Sequence, residues 1–503
     1  MSHGVRCDQS GRVPTVSHRE PATADAVEGG IDPDHLIPLY AQLKMLLLEE
    51  ILRGRYGPGE QLPTEHQLCA IYGISRTPVS RALSELAAEG VLTRHRRRGT
   101  IVNPHWQRRD INRPELRIVV PNGPWERLLR SAAPEGVRLN IATTEFPDLR
   151  RSLVHAVAAG RAPDLAVLDS VWVAEFASAG FLLPLDELDP RWVDQEYRPG
   201  FVAALIAAAQ FDGHPVAMPV DADVAGIWYR RSALAQAGVE ALSHWSDLAA
   251  VGESFAGRLP MPIVAPGGSR GGETTSYCLL AFLAANGARV LDGERVVLHS
   301  PATVECLEYL RDLAVRGALP EEAVAFEWDR AVRLLGRGQA AVAFGGSYEA
   351  SALASAAGLS VDKLWDEFAF AGMPQGPRGG ARTLAGVMVI GVFRQTASRE
   401  LAMRMLRKLA SADELSTVSI AAGRLPPRRS AFPVAPDVLG GPTAALELLN
   451  HAVIRPATAD YPRVSAQLQV MLETVITGRR TPEEASRHAA DAISAITGFP
   501  RAD

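Results

Sequence analysis

Between residues 36 and 103, apolar side chains return every three or four positions in three short blocks. This spacing limits the possible folds more than any other feature of the chain. Leu39, Leu43, Leu46, Leu47 and Ile51 make the first block. Pro38 is placed for the first turn of that helix, where a missing N–H costs nothing. Gly54 stops the helix, and Gly57, Pro58 and Gly59 turn the chain. Thr64 and Gln67 have the spacing of a capping box, so a second helix starts there and ends at Gly73. Ser75 is expected to cap a third helix, with Pro78 in its permissive first turn and Gly90 at its close. Val79, Ala82, Leu83 and Leu86 form one stripe of that helix. Residues 91–95 and 100–102 then read as two strands. Arg94, Arg96, Arg97 and Arg98 lie in and beside their turn.

Two helices joined by a tight glycine turn, followed by a basic hairpin, outline a winged helix-turn-helix. In that arrangement the second helix of the pair enters the DNA major groove by its N-terminal end. Here that end carries Arg76, Thr77, Ser80 and Arg81. An arginine run alone is usually a solvated loop; the flanking helices point this one to nucleic acid. Charge agrees. Residues 36–106 hold nine basic and six acidic side chains, while residues 1–35 hold three and six, and the whole chain is −5. Positive charge is concentrated where phosphates would be met.

The stretches PLYAQL, LPTEHQL, GISRTPVSRAL, LAAEGVL and RGT stand in the order and spacing of the GntR-type winged helix, which residues 34–106 resemble. The resemblance makes Arg76 the base-reading residue, supported by Thr77, and brings Gly99 and Thr100 of the wing close to DNA. It implies a DNA surface of Thr64, His66, Arg76, Thr77, Ser80, Arg81, Arg94, Arg96, Arg97, Arg98, Gly99 and Thr100. His66 stands where the family usually has Arg, Ser80 where it often does, and Arg97 replaces a usual wing Gly. An altered operator with more weight on the wing is therefore expected, with Arg81 standing in for the charge lost at Ser80.

At 503 residues the chain is too long for one ordinary core. No apolar stretch is long and clean enough to span a membrane, and the first residues lack the apolar core of a signal peptide, so a cytoplasmic location is expected. Residues 1–33 are polar and expected to be disordered. Cys7, Cys69, Cys278 and Cys306 form no C-x-x-C pair and read as reduced structural thiols.

Residues 107–115 read as a linker. Beyond it, strand-like runs at 116–120, 137–142 and 165–169 alternate with helical stretches such as 148–159 and 172–179, the pattern of an α/β domain with a largely parallel sheet. Ligands bind at the carboxyl ends of such strands. Asp169 and Ser170 lie at one such end, with Trp172 close behind. A strand-end Asp is also a common helix cap. Asp221 and Asp223, one residue apart in an apolar run, face the same side if extended. Two carboxylates there can accept from hydroxyls, hold a metal, or be surface acids; no His or further acid stands at ligand spacing, so no metal and no cofactor are expected.

Five ordered segments extend this reading. They are VAAGRAPDLAVLDSVWVAEFASAGFLLPLDEL, DGHPVAMPVDADVAGIWYRRSALAQAGV, LLGRGQAAVAFGGSYEA, IAAGRLPPRRSAF and the run from Tyr461. In them residues 116–503 resemble the family 1 extracellular solute-binding proteins, the sugar-binding class that works with ABC transporters. The resemblance implies a two-lobed, periplasmic-binding-protein-like (type II, Venus flytrap) domain with ligand held in the cleft. Lobe one would comprise about 115–222 and 386–435, and lobe two the rest. Carried over by position, the cleft residues are Asp169, Ser170, Trp172, Asp221, Asp223, Tyr229, Tyr348, Arg424 and Arg428. Acids bind hydroxyls, and aromatics pack on the C–H face of a sugar. Gly386 is followed by Val387 where many members have Trp, so one aromatic platform is missing, and a polyol, a smaller sugar or an unrelated metabolite becomes an alternative.

The expected function is a transcriptional regulator, a repressor in sign, that binds operator DNA as a homodimer under control of a sugar or polyol effector. The rival is a degenerate cleft kept for dimerisation or protein contact. An aminotransferase-like enzyme would need a cofactor lysine, and Lys44, Lys363 and Lys408 have no suitable motif. A transport-binding protein would need export.

Overall fold

The computed structural model describes residues 31–33, 37–95, 99–104, 106, 114–381, 383–422, 424–434 and 442–502. Residues 1–30 of the tail 1–33 expected to be disordered, and the wing arginines Arg96, Arg97 and Arg98, lie outside them. The chain divides into two compact units. One holds residues up to 34 and 39–106, and the other holds 35–38 and 107–503.

The smaller unit has helices α1 (Leu39–Leu52), α2 (Glu65–Tyr72) and α3 (Arg76–Ala88), then strands β1 (Leu92–His95) and β2 (Gly99–Val102). Leu43, Leu47, Leu68, Val79, Ala82, Leu83 and Leu86 bury their side chains as the spacing predicts. The capping box forms: Thr64 Oγ1 accepts from Gln67 N at 3.3 Å, and Gln67 Oε1 accepts from Thr64 N at 2.9 Å. Gly73 ends α2 at φ +67°. Two expectations are corrected. Pro38 lies just before α1, and Ser75 occupies the cap position of α3 without making a side-chain cap bond. The α3 start is held instead by Glu65, as described below. The strands pair antiparallel, Leu92 opposite Val102 and His95 opposite Gly99.

In the larger unit, Glu115 already belongs to strand β3 (Glu115–Pro121), so the expected linker ends earlier. Strands β4 (Arg138–Thr144) and β5 (Leu165–Asp169) flank β3 in parallel. The helix expected at 148–159 runs Phe146–Ala158, and a 3-10 turn, Ser170–Trp172, precedes the helix Val173–Ser178. Beyond this the pairing is antiparallel until Val342 and Ala343, which pair in parallel with Ile263 and Val264 at the far edge of the sheet. A 14-residue strand, Ala217–Arg230, passes through its middle. Its first half pairs antiparallel with Ala385–Val392, which also pairs with β5. Its second half pairs antiparallel with Val342–Gly346 and Phe368–Gly372. One continuous strand thus belongs to both lobes. The alternation that suggested a largely parallel sheet could not show a strand returning from so far along the chain.

Polar bonds brace this crossing. Trp228 Nε1 donates to Gly346 O at 2.9 Å, and Val224 N donates to Ser347 Oγ at 3.1 Å. Among the described residues, no helix is long and apolar enough to cross a membrane.

Candidate functional site

On the smaller unit, Arg76, Thr77, Ser80, Arg81 and Ser84 line an open concavity of about 430 Å³ along α3. Glu65, the first residue of α2, organises it. Its two oxygens accept from Arg76 Nε at 2.8 Å and Arg94 Nη2 at 2.5 Å. Both guanidinium groups hold its carboxyl below the usual carboxylate range, the bond from Arg76 most strongly. Arg94 Nη1 also donates to Ser84 Oγ at 2.8 Å, so one acid ties α2, α3 and the wing together. Arg76 is held through Nε alone among these bonds, and its side chain stays 82% exposed.

The other expected contacts sort themselves by what engages them. His66, Thr77 and Gly99 are exposed, Ser80 and Thr100 half-buried. Thr64 is exposed but spends its hydroxyl on the cap. Gly99 has φ +75°, and a Cβ there would lie 2.6 Å from Gln61 Nε2. Arg81 does not behave as a free replacement for Ser80. Its guanidinium stacks 3.7 Å over Tyr40, and its Nε donates to Glu85 at 3.3 Å. The helical turn places it beside α1.

In the larger unit, two guanidinium groups each lie between two carboxylates. Arg424 Nη1 donates to Asp223 Oδ2 at 2.7 Å, and its Nε is 3.4 Å from Asp221 Oδ2. Arg455 Nε is 2.8 Å from Glu273 Oε1, and its Nη1 is 3.8 Å from Asp169 Oδ1. Asp221 and Asp223 sit on the long strand where its pairing changes partner, so the period-two spacing does bring both carboxylates to one arginine. Gly386 lies opposite Asp223. A Cβ there would come within 2.3 Å of Asp223 Oδ1, so the missing side chain makes room for that carboxylate.

Tyr277, on the helix Glu273–Ala284, donates to Asp223 Oδ1 at 2.5 Å. Glu273 accepts from Tyr461 Oη and Ser465 Oγ, both at 2.7 Å. Tyr348 lies under Arg424, 5.3 Å from ring centroid to guanidinium carbon, and its hydroxyl is 3.3 Å from Thr274 Oγ1. Asp169 Oδ1 also accepts from Val171 N at 3.1 Å, so it is both a turn cap and a member of the network. Burial pushes Asp169, Asp221 and Glu273 upward despite the arginines, Asp221 to about 7. Among the described residues the Met388 backbone steadies Asp221, whose oxygens otherwise have no well-aligned donor, and Arg455 Nε and Nη1 face their carboxylates without an aligned hydrogen bond.

Ser170 lines a cavity of about 20 Å³ with Arg455 and Thr458, room for one water. Trp172 packs on Phe146, with ring centroids 5.5 Å apart. Two expected residues are not brought to the cluster. Tyr229 lies six residues beyond Asp223 on the same extended strand, about 20 Å away. Arg428 is turned to lobe one, donating to Ala410 O at 2.9 Å and to Ser430 Oγ at 3.2 Å. Glu273, Tyr277, Arg455, Tyr461 and Ser465 escaped sequence reasoning. The helical positions of Glu273, Tyr277, Tyr461 and Ser465 look like core or solvated face, and Arg455 lies outside any helix or strand, before a proline.

Residues 131–415, more than half of the chain, match the bacterial extracellular solute-binding protein family. The chain belongs to that family. Ahead of this solute-binding part, residues 39–102 match the bacterial regulatory proteins of the gntR family. Over 64 residues the chain is 45% identical to a probable fructoselysine utilization operon transcriptional repressor of Escherichia coli, covering 13% of this chain and 26% of the repressor. It thus spans about a quarter of that repressor's length. A putative binding protein of Brucella abortus is 20% identical over 372 residues, 72% of this chain and 86% of that protein. The fold of a Thermotoga lettingae solute-binding protein bound with alpha-D-tagatose superposes with a TM-score of 0.66 at 22% identity, covering 76% of this chain and all of that one. Maltose-bound MalE3 of T. maritima gives 0.64 at 24% identity over 76% of this chain and 99% of that one. This family member therefore combines a gntR-type winged helix with a two-lobed solute-binding fold.

Proposed function

We propose that this protein is a transcriptional repressor that binds operator DNA as a homodimer. Its operator affinity would be set by a small effector of the carbohydrate or polyol class, held between the lobes. The observation that carries the reading is the pairing, in one chain, of a basic recognition helix with a cleft whose buried polar groups are only partly satisfied. Structural neighbours bound to tagatose, maltose and ribitol suggest the effector class. Arg76 would read a base edge, with Thr77, Ser80 and Arg94 beside it and Arg96, Arg97 and Arg98 meeting phosphates. Asp169, Ser170, Asp221, Asp223, Tyr348 and Arg424 would contact the effector, with Trp172 packing on its apolar face. An effector changes operator affinity only through differential affinity for two states of the protein, so operator DNA opposes the effector to the same degree.

A second reading has an observation of its own. Arg424 and Arg455 already occupy the cleft acids, as expected if the cleft is a degenerate scaffold for dimerisation. The deciding experiment selects genomic DNA fragments with the purified protein, then titrates a selected fragment with and without sugars that raise the protein's melting temperature. A change in operator affinity supports effector control. Unchanged affinity at saturating, confirmed ligand excludes it, and a folded protein silent to a broad panel favours the scaffold.

A further inference from the structure

The two buried arginines have a common arrangement, each one guanidinium between two carboxylates. Asp221, Arg424 and Asp223 form one triad on the crossing strand and the segment after the helix Ala412–Ala422. Asp169, Arg455 and Glu273 form the other and join the end of β5 to a lobe-two helix. With all groups ionised, each triad carries one more negative than positive charge. Arg424 and Arg455 are the cations among the leading electrostatic neighbours of Asp169, Asp221 and Glu273. An incoming anion therefore finds both guanidinium groups already neutralised. An incoming cation finds surplus carboxylate in a poorly solvated place, where an unpaired charge is costly.

The unmet hydrogen bonds narrow the class further. Asp221 is fully buried; beyond the Met388 backbone and Arg424 at 3.4 Å, its oxygens have no well-aligned donor among the described residues. Arg455 Nε and Nη1 lie 2.8 Å from Glu273 and 3.8 Å from Asp169 without an aligned hydrogen bond, on a side chain 9% exposed. A ligand that completes the cleft must bring donors to one triad and acceptors to the other.

We propose that the cleft takes a hydroxylated primary amine, an amino sugar or amino polyol, whose ammonium meets the acids of the Asp221–Arg424–Asp223 triad while its hydroxyl oxygens accept from Arg455. This rests on the effector reading above and names the chemistry of the same site. Burial that holds the Asp221 carboxyl up to about 7 is offset once an ammonium lies beside it, so the site gains most from a ligand that carries the charge itself.

Calorimetric titration of the full chain tests this. The probes are glucosamine, galactosamine, mannosamine and 1-amino-1-deoxysorbitol, each beside its N-acetyl and its hydroxyl counterpart, with gluconate as the acidic control. At least one free amine is expected to bind about tenfold or more tightly than both counterparts, the scale of a charge-assisted hydrogen bond. Asp221→Asn should weaken the free amine more than its neutral counterparts and so shrink that preference; an equal loss for amine and neutral probes overturns the proposal. A neutral or acidic probe that binds with no advantage for the amine overturns the proposal and leaves the effector reading standing. Silence from every probe, with the protein folded, overturns both.

Discussion

Glu65 sets how far the surface proposed to read DNA is preorganised. By holding Arg76 through Nε and Arg94 through Nη2, it limits the swing of two long side chains before DNA arrives. Arg76→Ala should weaken operator binding about tenfold to a hundredfold and relax the base preference at one position, read by competition with single-base operator variants. If Arg97→Ala is the more damaging change, the wing dominates and the assignment is wrong. Glu65→Gln keeps an acceptor but loses the charge. Discrimination between operator and unrelated DNA should narrow, while binding to unrelated DNA stays equal or tightens, because one acid leaves a phosphate-facing surface. Weaker binding to every sequence alike would point instead to damaged folding. In the cleft, Gly386→Ala drives a Cβ toward Asp223 Oδ1 and should cost about 1–3 kcal/mol of stability, measured by denaturant unfolding.

At the scale of elements, local chemistry was the legible part. The capping box of Thr64 and Gln67 depends on four neighbouring residues and formed as its spacing requires. Thr64→Ala should cost about 1 kcal/mol in the stability of the winged helix, visible as a lower melting temperature. Ser75 also offers a hydroxyl at a cap position but makes no cap bond, while the residue after it, Arg76, is bonded to Glu65 of α2. In the larger unit, β3, β4 and β5 announced themselves as apolar runs, and Asp221 and Asp223 as a pair on one side of an extended strand. Arg455 and Glu273 did not. They stand 182 positions apart in a chain of 503 residues, and no periodicity reports a contact between segments so distant in sequence. Tyr229 shows the opposite error: its segment resembled a binding segment as a whole, and only the length of the strand shows that its far end belongs to another place.

Across the whole molecule, the acids of the cleft link stability to pH. In the folded chain Asp221 titrates near 7, raised chiefly by burial, with Arg424 opposing and Asp223 and Asp169 adding to the rise. In the unfolded chain an aspartate titrates at about 3.9. The folded state therefore holds more protons between these values, and this contribution to stability is full at low pH and is lost as pH rises toward about 7. Asp221→Asn should gain stability relative to the parent chain across that window, seen as a melting-temperature difference that grows with pH. A pH-independent difference would mean that Asp221 stays ionised throughout. The same linkage governs the two proposed ligands: whatever factor an effector takes from operator affinity, saturating operator must take from effector affinity, measurable by titrating effector with and without DNA.

The strand Ala385–Val392 sits between β5 and the long crossing strand, yet it is made long after both. During synthesis the winged helix can fold as soon as it emerges. The sheet of the larger unit has two open inner edges until residue 392 has left the ribosome, and open edges invite pairing with other chains. A nascent chain thus has a finished winged helix before its solute-binding part is complete. Slow translation or scarce chaperones should then show first as aggregates of the larger unit and as truncated products that keep a folded winged helix.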